Sequence, residues 1–131
     1  MSGLSLIMKG KGFKVQGSDI ANNKNIERLK KEKIKIFIGQ KKQNLKNATI
    51  VVISSAIKKN NPEIIEAQKK NIPIIKRAEM LGELIALKET SIGVSGTHGK
   101  TSTSSMIGTL LSHAKIDPTM AVSYTHLRAH E

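Results

Sequence analysis

A chain of 131 residues has room for one domain of ordinary size and little more. It holds no cysteine and no apolar run long enough to cross a bilayer, which excludes disulfides, zinc thiolates, a Cys nucleophile and a membrane-spanning helix. The net charge of +12 points toward nucleic acid, but nearly all of it is lysine scattered along the chain, with Phe13, Phe37 and Tyr124 as the sole aromatics for stacking. A solvated lysine surface is the better reading, and no nucleic-acid partner is expected.

Residues 1–9 read as the end of a helix, with Leu4, Ile7 and Met8 on one side and Gly10 and Gly12 stopping it. Lys9, Lys11 and Lys14 follow this apolar stretch, whereas a secretory signal carries its charge before it. A reducing, cytoplasmic setting is the expectation. Residues 13–17 form a short strand running into Ser18-Asp19, and 25–33 a polar helix with Ile26 and Leu29 turned inward. Residues 35–39 alternate like a strand, and 49–54 are the nearly continuous apolar run of a strand buried on both faces. Pro62 opens a helix to about residue 70, followed by a strand at 73–75 and an amphipathic helix at 78–87. A strand at 91–95, a glycine turn and a helix at 102–114 complete the series, and Asp117-Pro118 breaks it.

This alternation predicts an α/β fold with a doubly wound, Rossmann-like parallel sheet and ligands at the C-terminal ends of the strands. A domain boundary is expected near Glu89-Thr90, and no repeat or low-complexity linker is present.

The strongest chemical signal is Gly96-Thr97-His98-Gly99-Lys100-Thr101-Ser102-Thr103, which follows an apolar strand and opens a helix. Its glycines let backbone N–H groups close around phosphate oxygens, and the helix N-terminus adds partial positive charge. Lys100 supplies a point charge, and the Thr101 hydroxyl is of the type that coordinates Mg²⁺. The loop is shorter than the common phosphate-loop spacing, because Val94 stands where that pattern has glycine. An ordinary helix cap on a glycine turn is the plain alternative.

The run Gly-Thr-His-Gly-Lys-Thr resembles the ATP loop of the Mur ligase family. Gly17-Ser18-Asp19, Val52-Ile53-Ser54-Ser55-Ala56-Ile57, Asn61-Pro62-Glu63-Ile64, Ile72-Pro73-Ile74 and Arg77-Ala78-Glu79-Met80-Leu81 follow in the family's order, and the resemblance covers residues 1–121. It implies a UDP-substrate-binding domain at 1–89 and the start of the central ATP-binding domain at 90–121. It also implies ATP and Mg²⁺ as cofactors, with Gly96, Thr97, His98, Gly99, Lys100, Thr101 and Ser102 holding ATP. Lys100 then acts on the β- and γ-phosphates and Thr101 is a Mg²⁺ ligand. Ser18, Asp19, Ser54, Ser55 and Ala56 would border the UDP site.

The Ser-Ser-Ala-Ile and Arg-Ala-Glu-Met-Leu stretches favour the member that joins L-alanine to UDP-N-acetylmuramate through an acyl phosphate in bacterial peptidoglycan synthesis. The relative that reattaches recovered peptides is its competitor within the family. A Rossmann-like nucleotide module without ligase activity is the competitor outside it. Two departures stand out. The family's glycine-rich UDP loop is not present, although Met1-Ser2-Gly3 resembles its tail, so the first strand is expected upstream. The further acidic Mg²⁺ ligands and the amino-acid domain are also missing, so the chain reads as an incomplete, inactive piece. No protein partner is evident.

Residues 122–131 break the composition, with the only Tyr, two of the four His and no Lys. They match the translation of a DNA-library adapter and read as a non-native tail. His126, His130 and Glu131 have the spacing of metal ligands but no further ligand cluster beside them. Gly10, Gly12 and Gly17 read as loop and strand-end glycines rather than a dinucleotide fingerprint. His113 reads as a helix-terminal cation, and Glu79, Glu83 and the lysines of 30–35 as solvated charges.

Overall fold

The structure is a computed structural model that describes residues 1–122. The chain runs α1 (Ser2–Gly10), β1 (Gln16–Asp19), α2 (Lys24–Lys31), β2 (Lys35–Ile38), a 3-10 turn (Lys42–Leu45), β3 (Val51–Ile53), α3 (Pro62–Lys69), β4 (Ile74–Lys76), α4 (Arg77–Ala86) and α5 (Lys100–His113). Met1–Lys88 forms one compact unit and the residues from Glu89 onward form another.

Local chemistry sets the helix starts. Asn23 caps α2 by accepting from the Ile26 amide at 3.1 Å, and Asn61 caps α3 by accepting from the Glu63 amide at 2.8 Å. Pro62 takes the first position of α3, where its missing N–H is no loss. The Glu79 carboxylate takes the Lys76 amide at 2.8 Å, so it serves the start of α4 rather than standing free in solvent.

Four helices end alike. A left-handed residue follows the helix, and the next amide reaches back five residues to a carbonyl of the last turn. These bonds are Phe13 to Met8, Ile34 to Leu29, Ile72 to Ala67 and Ile116 to Leu111, at 3.2, 3.0, 2.9 and 2.9 Å. The left-handed residues are Gly12, Lys33, Asn71 and Lys115, with φ of 90°, 58°, 54° and 60°. Lysine at two of these corners hides the signal that glycine would give.

β1 pairs with β2 in parallel, Gly17 opposite Ile36, across the α2 crossover. β3 pairs with β4 in parallel, Val52 opposite Ile75, across α3. The α/β class and the parallel strand–helix–strand pattern are therefore as the sequence predicts. The strands, however, lie in two separate pairs rather than one continuous sheet.

Burial explains the packing. Leu4 of α1 and Met80 and Leu84 of α4 form a core cluster, with Ile7, Met8, Val52, Ile75 and Leu81 against it. Ile26 and Leu29, turned inward as predicted, are buried together with Ile34, Leu45, Ile64 and Ala67. A fully buried aliphatic side chain of this size contributes about 1.5–3 kcal/mol.

Three expectations are corrected. β1 lies at Gln16–Asp19 rather than 13–17, and Phe13 is half exposed. The strand within 49–54 is three residues long and only partly buried, with Ile50 at 48% exposure, since β4 alone flanks it among the described residues. Residues 91–95 form no strand, because the second unit offers no partner backbone among its described residues, and Ile92 is 60% exposed.

The second unit is built on α5, which starts at Lys100, two residues earlier than predicted. Gly108 is its buried position, with the Met120 thioether laid against it.

Candidate functional site

The predicted site residues fall in both units, at the ends of strands in one and at a helix start in the other. Ser18 and Asp19 end β1. The Ser18 hydroxyl donates to Glu63 Oε2 at 2.7 Å, a contact across 45 residues of sequence. Glu63 Oε1 accepts from Asn44 Nδ2 at 2.7 Å, and the same Asn44 amide group donates to the Gly39 carbonyl at 2.9 Å. Gln16 Nε2 reaches the Asn44 carbonyl at 2.8 Å, and the Gly39 amide reaches the Asp19 carbonyl at 2.7 Å. Asn61, buried, donates to Gln40 Oε1 at 2.6 Å. One polar network thus ties the ends of β1 and β2 to the 3-10 turn and the first turn of α3. Glu63 sits where the α3 dipole favours a negative charge.

Asp19 Oδ1 accepts from the Ile20 amide at 2.7 Å, which fixes the carboxylate at the strand end. Burial holds the Met1 ammonium at the start of α1 below its ordinary pKa, the Arg77 guanidinium lowers it further, and Asp19 opposes both. The end of β1, the start of α1 and the start of α4 therefore present charged groups to one another. Ser54, Ser55 and Ala56 follow the last residue of β3 directly, at the C-terminal end of that strand. The ring of Phe37 lies 4.9 Å beneath the Lys35 ammonium, which leaves it a poor platform for a nucleobase.

In the second unit Gly96 has φ of 152° and Gly99, the N-cap of α5, has φ of 75°. Both values lie where a side chain is disfavoured, so the turn needs glycine at both places. No side chain caps α5 and no acidic residue occupies its first turn, so its leading N–H groups point out of the helix with an uncancelled positive end. The Lys100 ammonium folds back to the carbonyls of Gly96 at 2.5 Å and Thr97 at 3.2 Å. Thr97, His98, Thr101 and Ser102 are exposed around it. A positive charge, open amides and three hydroxyls form a donor set suited to a polyphosphate with its divalent cation.

Residues 1–89 match the model of the Mur ligase family, catalytic domain. The chain belongs to the Mur ligase family. This Mur ligase chain is 60% identical over 120 residues to the UDP-N-acetylmuramate–L-alanine ligase of Pelagibacter ubique, a match covering 92% of the chain and 26% of that relative. To the enzyme of the same name from Rickettsia prowazekii it is 57% identical, over 92% of the chain and 24% of the relative. Its structure is similar to the crystal structure of the UDP-N-acetylmuramate–alanine ligase of Thermotoga maritima, with a TM-score of 0.81 and 29% identity over 88% of this chain and 27% of that one. The chain spans about a quarter of the length of the curated relatives it matches.

Sequence reasoning named Asn61, Glu63 and Arg77 inside motif stretches without giving them a role, and it passed over Asn44. Pro62 signals the start of α3, but only the folded chain shows Asn61 capping it and Glu63 reaching Ser18. No group of three or more His, Cys, Asp or Glu side chains that could hold a metal occurs among the described residues. No helix there is long and apolar enough to cross a membrane. The tail ligand pattern of His126, His130 and Glu131 lies outside the described residues, as does the tail reading for all but Val122.

Proposed function

We propose that this chain supplies the uridine-nucleotide face and the ATP loop of a Mur ligase that joins L-alanine to UDP-N-acetylmuramate. The observation that carries the reading is the uncapped start of α5, with Gly99 left-handed and Lys100 as the only charge in the turn 96–101. Gly96, Thr97, His98, Gly99 and Ser102 form the cradle for the phosphates of ATP, Lys100 lends it positive charge, and the Thr101 hydroxyl is the ligand offered to Mg²⁺. ATP supplies the phosphoryl group that activates the muramate carboxylate toward the amine of L-alanine.

Lys100 contributes charge where the transferring group becomes more negative, which is the part of phosphoryl transfer a protein accelerates. Ser18, Asp19, Ser54, Ser55 and Ala56 line the strand ends, where open parallel sheets bind nucleotides. The preference for L-alanine rests on the names of the relatives. A cytoplasmic setting fits the nucleotide substrates and the absence of cysteine.

A chimera tests the reading. In the Pelagibacter ubique relative, the 120-residue segment matched by this chain is replaced with its counterpart from this chain. Phosphate release from ATP in the presence of UDP-N-acetylmuramate should depend on L-alanine. A chimera that folds and ignores L-alanine refutes the proposal.

A further inference from the structure

The hydrogen bonds around Ser18 set what the strand ends can read. A carboxylate only accepts hydrogen bonds, so the contact of 2.7 Å between Ser18 Oγ and Glu63 Oε2 consumes the single proton of the serine hydroxyl. The other Glu63 oxygen is engaged by Asn44 Nδ2, whose amide group is held in turn by the Gly39 carbonyl. Asn44 is buried, and Glu63 is anchored from behind by the bond between its own amide and Asn61. The carboxylate therefore has a fixed place and a fixed polarity. Ser18, only partly buried, is left with lone pairs alone to offer outward. Asp19 beside it is a carboxylate and likewise offers only acceptors.

We propose that Glu63 is a positioning residue that holds Ser18 as a hydrogen-bond acceptor, so that the end of β1 recognises an N–H or O–H donor of the nucleoside and disfavours phosphate. This rests on the proposed nucleotide-binding reading of the strand ends and deepens it. A phosphate oxygen set against Ser18 and Asp19 would meet lone pairs and negative charge. A ribose hydroxyl or the imide N–H of a uracil would find a directed acceptor, and charge assistance through Glu63 strengthens that bond. The phosphates are then left to other positive groups such as Arg77 at the start of α4.

Glu63→Gln keeps the shape and reverses the polarity. Asn44 has both amide protons committed to acceptors, so the new glutamine must turn its oxygen to Asn44 and its NH₂ to Ser18. The serine proton is then released toward the ligand, and the glutamine occupies one of the two serine lone pairs, so the directed, charge-assisted acceptor is lost. The test is a ligand-observed NMR titration of this chain with UDP, N3-methyl-UDP, 2′-deoxy-UDP and 3′-deoxy-UDP, each analogue lacking one donor. In the unsubstituted chain one of the three analogues should bind about tenfold more weakly than UDP, the value of one charge-assisted bond. In Glu63→Gln, and independently in Ser18→Ala, that ratio should fall toward one.

A purely structural role for Glu63 predicts something else: UDP and the analogue weaken together and the ratio persists, which overturns the inference. Equal binding of all four ligands by the unsubstituted chain overturns it too, while the nucleotide site itself stands. If the chain takes up no UDP, the nucleotide-binding reading falls and the inference with it.

Discussion

Gly108 on α5 and Met120 in the returning segment are packed so closely that a Cβ on Gly108 would lie 2.1 Å from the Met120 sulfur. The glycine is a helix-interior residue, where alanine is ordinarily better by about 1 kcal/mol. Its presence lets the thioether lie on the helix backbone. Gly108→Ala should displace Met120, moving its methyl NMR signal toward that of an exposed methionine, and should yield little or none of the usual helix gain. In a Met120→Ala background the same substitution should stabilise by about 1 kcal/mol. Equal effects in the two backgrounds would show that the contact does not constrain position 108.

Lys33 and Lys115 occupy left-handed corners after α2 and α5. A side chain in that region costs about 1–2 kcal/mol, part of which glycine returns as lost chain entropy. Lys33→Gly and Lys115→Gly should each stabilise by about 0.5–1 kcal/mol in urea unfolding. Asn71→Gly should gain less, because asparagine tolerates the same conformation. A loss of stability at Lys33 would mean that its side chain contributes more than the corner costs.

Asn61 caps α3 and donates to Gln40 from a buried position. Asn61→Ala should cost about 1–2 kcal/mol, close to the upper range for a lost cap. Gln40→Ala should cost less, and the two losses should not add, since they remove one shared bond. Additive losses measured by thermal unfolding would show the side-chain contact to be incidental.

Much of the chain's organisation was legible in local chemistry. Pro62 marks the start of α3, and the spacing of Ile26 and Leu29 identifies the inner face of α2. The short strands were placed less well. A strand of three or four residues shows barely two alternations, so residues 13–17, with Phe13 and Val15, read as the strand in place of the polar Gln16–Asp19 that pairs with β2. The run at 91–95 has strand-like residues, yet pairing depends on a neighbouring backbone that no local pattern reports.

At the site, the glycine loop could be read because its chemistry is contiguous, from Gly96 to Ser102. The Ser18–Glu63 bond could not, because its partners are 45 residues apart and their meeting depends on how α3 packs.

The role of Lys100 is tested by the rate of L-alanine-dependent phosphate release from the chimeric ligase carrying this chain's segment, with and without Lys100→Ala. Lys100 sits at the start of α5, with its ammonium on the carbonyls of Gly96 and Thr97. Losing a preorganised charge that acts on the transferring phosphoryl group costs roughly 3–4 kcal/mol. Lys100→Ala should lower kcat on the order of a hundred- to a thousandfold with the thermal midpoint unchanged, since an exposed lysine carries little of the fold. A variant that keeps near-normal turnover would contradict it, because the turn 96–102 would then not be the ATP loop.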